Sequence, residues 1–282
     1  MTVIDFNGIQ LPNIGIGTWH MGSDHRRFQI ERDTIQTGIE HGATVIDTAE
    51  MYGNGDSEIL VGNAIAPYNR QQLFLISKFY PQHALKPSLS QALTASLARL
   101  QTTYLDLYLY HWRGEAPLNQ TVAELQALQA SGKIRHWGVS NFDLADMQEL
   151  LDQPGGKTVF ANEDLYNLGE RGIEYSLIPW QNQRQIPLIA YSPIDAGDSR
   201  HHNLATNPTV QTLASKYRVT PYQILLAWTV RNQQTLAIPQ TSNPDHMLEN
   251  IVAGNLTLAA DDLAALDQVF PKPNRKEPLA VI

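Results

Sequence analysis

The chain contains no cysteine. Disulfides, thiolate metal sites and cysteine nucleophiles are therefore excluded, and any metal would have to be held by His, Asp or Glu. That absence leaves the compartment open. Charge is also sparse: 17% of the residues are Asp, Glu, Lys or Arg, and acids outnumber bases 28 to 20, for a net charge of −8. No Lys/Arg cluster is longer than the pair Arg26-Arg27, so a nucleic-acid partner is not expected. No stretch approaches the ~20 apolar residues of a membrane span, and Met1-Thr2-Val3-Ile4-Asp5 has no basic lead into an apolar run. A cytoplasmic protein with no membrane partner is the expectation, and the sequons at Asn119 and Asn255 then read as chance matches. Two nucleotide signatures are missing as well. Gly15-Ile16-Gly17-Thr18-Trp19-His20 lacks the third glycine of G-x-G-x-x-G, and G-x-x-x-x-G-K-[ST] does not occur. A doubly wound sheet is thereby disfavoured, and a bound nucleotide would need another architecture.

What is present is apolar material: 43% of 282 residues are hydrophobic, enough for a large core. A closed α/β barrel takes about 250 residues in one piece. With no composition shift or Gly/Ser-rich linker, one domain over residues 1–282 is expected. Short β-rich runs recur at Ile14–Thr18, Thr44–Thr48, Leu73–Lys78, Leu105–Tyr110, Ile134–Ser140, Thr158–Asn162, Pro187–Tyr191 and Thr235–Pro239. Between them lie helical spacings such as Phe28–His41, Ser88–Leu100, Leu118–Ala130 and Tyr222–Arg231. The βαβα order and the eight runs imply a (β/α)₈ TIM barrel. Val3 to Leu11, with Asn7-Gly8 between apolar flanks, reads as a β-hairpin capping the barrel bottom.

In such a barrel, chemistry collects at the C-terminal ends of the strands. Asp47 and Lys78 end the second and third runs, and His111 follows the fourth. Tyr52 lies five residues past Asp47 in Glu50-Met51-Tyr52-Gly53-Asn54-Gly55, where the glycines let the chain turn back over the mouth. Singly, Asp47 reads equally as a helix cap, Lys78 as half of any ion pair and His111 as a satisfied core histidine. Jointly they are harder to set aside, because a partly buried ammonium needs an anionic partner. A tyrosine near that lysine is expected to have its pKa lowered from ~10, which makes it a better proton donor. That is a carbonyl-reduction site in outline, with a neutral His111 orienting the substrate oxygen. A metal-dependent barrel hydrolase using His111, Asp47 and Glu50 is the competing enzyme class; it leaves Lys78 beside the metal, and His201-His202 reads as a solvent-exposed loop pair without another plausible ligand.

These residues resemble the aldo-keto reductases, and within them a bacterial group that includes methylglyoxal reductases. The matching segments run in family order along nearly the whole chain: Gly15-Ile16-Gly17-Thr18-Trp19, Asp47-Thr48-Ala49-Glu50-Met51-Tyr52-Gly53-Asn54, Lys78, His111-Trp112, Gly132 to Phe142, Tyr191-Ser192-Pro193 and Ile238-Pro239. The resemblance implies reduction of small aldehydes or ketones by hydride from a nicotinamide cofactor, without a metal. Its catalytic tetrad is Asp47, Tyr52, Lys78 and His111. It places Ser140 and Asn141 on the carboxamide, Tyr191 stacked on the ring, and Gly17, Thr18, Ser192, Pro193, Ile238 and Pro239 elsewhere along the cofactor. Trp19, Tyr80 and Trp112 would line the substrate cavity. Some barrels of this family serve as cofactor-sensing accessory subunits of potassium channels, which is the non-enzymatic alternative. The expected partners are a small carbonyl substrate and, at most, weak self-association.

Two departures stand out. The family's Asn-Gln after the sixth strand is Asn162-Glu163 here, so a carboxyl replaces an amide that contacts the carboxamide. The Lys after Ile-Pro and the Arg six positions later, which hold the 2′-phosphate in NADPH-specific relatives, are also gone; the chain reads Gln240-Thr241-Ser242-Asn243-Pro244-Asp245-His246. Thr241, Ser242, Asn243 and His246 remain as donors, and Glu249 and Asn250 match positions that hold adenine. NADP(H) is expected to stay the favoured cofactor, with NAD(H) also used. The loop Arg113 to Pro117 is short and the tail after Phe270 brief, so an open, permissive pocket is expected.

Overall fold

The computed structural model describes residues 2–195 and 203–282. His201 and His202 lie outside the described residues. The chain opens with a hairpin of β1 (Val3–Phe6) and β2 (Ile9–Pro12), paired antiparallel with Phe6 opposite Ile9. Asn7 and Gly8 both have positive φ, 53° and 85°, the turn geometry that matches the twist of paired strands. Eight parallel strands follow: β3 (Ile16–Gly17), β4 (Val45–Asp47), β5 (Phe74–Phe79), β6 (Leu105–Tyr110), β7 (Ile134–Ser140), β8 (Asn162–Leu165), β9 (Leu188–Tyr191) and β10 (Thr235–Ala237), each paired with its neighbour in chain order. The seam between first and last closes where Ile14 pairs with Ala237 and Gly17 with Gln240. Gly15 N–H donates to Ala237 O at 2.8 Å and Gly17 N–H to Pro239 O at 3.0 Å. A Cβ on Gly17 would lie 2.5 Å from Ile238 O, so this approach of two backbones admits only glycine. The protein is a (β/α)₈ barrel.

The helices α1 (Phe28–Glu40), α2 (Asp56–Ile65), α3 (Ser88–Arg99), α4 (Leu118–Ala130), α5 (Leu144–Leu151), α6 (Leu177–Asn182), α7 (Pro208–Tyr217), α8 (Pro221–Thr229), α9 (Pro244–Ala253) and α10 (Ala260–Val269) accompany the strands. Local signals set several starts. Asp143 and Asp146 cap α5 reciprocally, Thr220 and Gln223 do so for α8, and Pro221 and Pro244 occupy the first turns of α8 and α9. Inside the barrel, Ile4, Phe6 and Leu11 of the hairpin pack with Val45, Phe74, Ile76, Leu107, Leu109, Phe160, Ile189 and Leu236. The hairpin therefore plugs the end opposite the strand C-termini. Full burial of a side chain such as Phe6 contributes about 1.5–3 kcal/mol.

The expected elements recur with small shifts at their ends, and the sixth strand moves most. Thr158–Asn162 was the expectation, whereas Gly156–Thr158 forms a 3-10 turn and β8 runs from Asn162 to Leu165. Residues before it already bond to β7, with Phe160 N–H donating to Trp137 O at 2.9 Å. The polar pair Glu163-Asp164 interrupts the apolar run that marked the other strands, yet both side chains are buried. Because strand neighbours face opposite sides, Glu163 points into the barrel mouth and Asp164 toward the helices. Asp164 is fully buried and neither carboxyl oxygen has a partner.

Candidate active site

The strand register carries the polar ends to one rim. Asp47 is level with Gly17 and Ile76, Lys78 lies two residues further on, level with Leu109, and Ser140 is level with Glu163. Thr18 Oγ1 donates to Asp47 O at 2.9 Å, and Ser57 Oγ donates to Thr18 Oγ1 at 2.7 Å, which pins the end of β4 and the start of α2 to the loop after β3. Tyr52 opens a one-turn helix in which Gly53, Asn54 and Gly55 all take positive φ (57°, 55° and 97°). That left-handed run returns the chain over the mouth before α2 starts, and Tyr52 ends up buried against the rim.

Lys78 is the hub. Its Nζ donates to both Asp47 carboxylate oxygens at 2.6 Å and to Tyr52 OH at 3.2 Å, and it lies 3.2 Å from Glu163 Oε1. Burial works against the ammonium, but Asp47, Glu163 and Tyr52 together outweigh it and hold Lys78 charged. The expected lowering of the Tyr52 pKa is not found. Burial pushes the phenol above its ordinary value, Lys78 opposes that push, and the Asp47 and Glu163 charges add to it. The lysine limits the cost of a phenolate without reversing it, so Tyr52 is a firmly proton-bearing acid. His111 sits edge-on to Tyr52, with ring centroids 5.9 Å apart. Burial, reinforced by the Lys78 charge, pushes its pKa down to about 3, so the imidazole is neutral.

These groups open onto a cavity of about 660 Å³. Asp47, Tyr52 and His111 line it, with Trp19 and Trp112 at its mouth and Gly17, Thr18, Ser140, Asn141, Glu163, Tyr191, Ser192, Pro193, Ile238, Pro239 and Gln240 along its length. Tyr191 O–H donates to Asn141 Oδ1 at 2.7 Å, Asn141 Nδ2 donates to His111 O at 3.0 Å, and Ser140 Oγ donates to Glu163 O at 2.9 Å. The remaining sequence-predicted residues stand off the cavity. Tyr80 supports Trp112 edge-on at 5.9 Å. Thr241 and Asn243 shape the entry to α9, where Asn243 accepts from Asp245 N–H at 2.9 Å. Ser242 Oγ donates to Glu31 Oε1 at 3.2 Å. His246 is exposed on α9, Glu249 is half-buried there, and Asn250 is buried. Sequence reasoning missed Met51, His20, Ile194, Asp195 and Ile282 as lining residues. His20, stacked on Trp19 at 4.1 Å, and Met51 adjoin residues that were found. Ile282 had no signal: it arrives at the cavity from the tail. The brief tail thus contributes to the cavity lining.

The cavity suits a nicotinamide in three respects: its volume, its Tyr191 wall and its buried polar atoms without partners, Glu163 Oε2 and His111 Nδ1. Among the described residues no group of three or more His, Cys, Asp or Glu is placed to hold a metal, and no helix is long and apolar enough to cross a membrane.

Comparison with known proteins bears on the family and the fold. The model of the aldo/keto reductase family matches residues 13–270. Methylglyoxal reductase YeaE of Escherichia coli (strain K12) is 43% identical over 281 residues, covering 99% of both chains. An aldo/keto reductase from Klebsiella pneumoniae, solved in complex with NADP and acetate, superposes with a TM-score of 0.97 at 42% identity and 99% coverage of each chain. A Klebsiella pneumoniae aldo-keto reductase solved with NADPH gives 0.97 and 42% over 100% of this chain and 99% of that one. With its barrel, its rim of polar residues and these matches, the chain belongs to the aldo/keto reductase family.

Proposed function

We propose that the protein reduces small aldehydes and ketones, methylglyoxal among them, at the expense of NADPH. The observation that carries this reading is the Tyr52 hydroxyl, 3.2 Å from a buried, charged Lys78 and open to the cavity beside a neutral His111. Relatives that share this fold at 42% identity were solved with NADP and with NADPH, which supports the choice of cofactor. A bound reduced nicotinamide supplies the hydride. Tyr191 would form the wall for its ring, and Ser140 and Asn141 would anchor its carboxamide once Asn141 exchanges its bond from Tyr191. His111 would donate one hydrogen bond to the carbonyl oxygen and fix its direction, and Tyr52 would give that oxygen its proton. Lys78 steadies the developing phenolate, and Asp47 keeps Lys78 in place. Trp19 and Trp112 would exclude water and select small, partly apolar carbonyls.

At the adenosine end, Gln240, Ser242 and His246 carry less positive charge than a Lys and Arg pair, so we infer that NADH also serves. The test is NADPH consumption, followed by absorbance, with methylglyoxal and with an aromatic aldehyde. Tyr52→Phe should lower kcat by about 10²–10⁴-fold, the range of a general acid, while NADPH still binds. Binding without turnover in the wild type would point instead to the cofactor-sensing alternative.

A further inference from the structure

Two carboxyl groups and one ammonium meet beneath the cavity. Asp47 and Glu163 are each 1% exposed, and Lys78 Nζ touches both, at 2.6 Å and 3.2 Å. One ammonium balances one carboxylate. The other groups around Glu163 bring no second positive charge: Tyr52 and Tyr191 are phenols, His111 is neutral, Ser140 is committed to the Glu163 carbonyl, and Asp164 lies on the opposite face of β8. No Lys or Arg lines the cavity among the described residues. Glu163 Oε2 is buried with no donor facing it. A proton on this carboxyl would turn it from an acceptor into a donor, beside an Asp47 carboxylate that shares the same Lys78 Nζ.

We propose that Asp47 and Glu163 hold one proton between them, and that this proton, passed through Lys78 Nζ, restores Tyr52 after each reduction. The proposal rests on the reductase activity proposed above. In the forward reaction the carbonyl carbon gains the hydride and its oxygen takes the Tyr52 proton. The phenolate oxygen takes a proton from Lys78 Nζ, and Nζ takes the one held by the carboxyl pair. The carbonyl is reduced, the nicotinamide is oxidised, and the pair goes from one negative charge to two. The oxidised ring is positive, so the net charge in the buried site does not change. Solvent returns the proton as the oxidised cofactor leaves. Burial first, then the neighbouring Asp47 charge, pushes the Glu163 pKa well above the usual carboxylate range, in keeping with a stored proton. Glu163 acts through Lys78 and is therefore a positioning and proton-storing residue. An amide could fill its place but would have no proton to release.

The test is calorimetric titration of the full chain with NADP⁺ and with NADPH at pH 7, in two buffers of different ionisation enthalpy. The 2′-phosphate titrates near pH 6, as phosphate monoesters do, but it is common to both cofactors and cancels in their difference. The wild type should release a large fraction of one proton more with NADP⁺ than with NADPH, and the ratio Kd(NADP⁺)/Kd(NADPH) should fall up to about tenfold per pH unit while the pair is protonated. Glu163→Gln should abolish the difference. Equal proton release for the two cofactors in the wild type overturns the proposal, whatever the variant does. So does a difference that persists in Glu163→Gln. In a single turnover followed with a pH indicator, loss of NADPH fluorescence should precede proton uptake in the wild type, and simultaneous uptake overturns the relay. A wild type that shows the proton difference but consumes no NADPH with any carbonyl refutes the reductase reading and leaves the shared proton standing.

Discussion

Asp164 is a buried acid that the fold tolerates without satisfying. Neither oxygen has a partner, and burial, with the Asp143 and Asp146 charges, raises its pKa well above the ordinary value. The folded state therefore prefers the protonated acid. Its contribution is intact below the unfolded pKa of about 3.9 and is lost as pH rises from there toward the folded value. Asp164→Val should accordingly stabilise the fold at pH 8 by about 1–3 kcal/mol of relieved burial penalty, read as a higher thermal midpoint, and change it little at pH 4. Equal gains at both pH values would count against this account. His111 shifts the other way: with its pKa near 3 it is neutral across the working range. His111→Gln should cost about 10–100-fold in kcat/KM, the value of one lost orienting hydrogen bond, and leave the shape of the pH profile unchanged. Asp47, Lys78 and His111 were legible in the sequence because each is a polar residue ending an apolar run. The direction of the Tyr52 shift was not, because it is decided by burial, and burial comes from the fold.

At the scale of elements, the barrel was readable wherever apolar alternation and turn residues agreed, as in Leu105–Tyr110 and the Asn7-Gly8 hairpin. It failed at β8, where Glu163 and Asp164 break the pattern while remaining inside. The seam between β3 and β10 also leaves only a weak mark in the sequence, since Gly17 looks like any glycine until its Cβ is seen to collide with Ile238 O. Gly17→Ala should cost about 1–3 kcal/mol through this overpacking, read as a lower thermal midpoint, and weaken cofactor binding because the same seam borders the cavity. Phe6 offers the contrast. It is fully buried in the hairpin plug at the far end, so Phe6→Ala should cost about 3–5 kcal/mol of stability and leave NADPH affinity as it was. A parallel loss of affinity would mean that the two ends are coupled.

For the whole molecule, no Lys or Arg lines the cavity among the described residues, and under the proposed function this sets how the protein meets a phosphate-bearing cofactor. Gln240 is exposed and lines the cavity, and its Nε2 donates to Ser242 Oγ at 3.3 Å. Ser242 in turn spends its hydrogen on Glu31, a buried carboxylate. Gln240→Lys should strengthen NADPH binding by a few-fold, on the order of 0.5–1 kcal/mol for an exposed pair, with no gain for NADH. Fluorescence titrations at two salt concentrations would show the gain shrinking as salt rises.

The tail adds something the barrel alone does not have. From Phe270 it crosses the molecule, pairs Lys276 with Asp143 at 3.4 Å, rests Leu279 on the core and delivers Ile282 to the cavity. Part of the cavity lining thus comes from the segment after α10 and not from a strand end. Under the proposed function, Ile282 is therefore a position where the cavity can be reshaped while Asp47, Tyr52, Lys78 and His111 stay untouched.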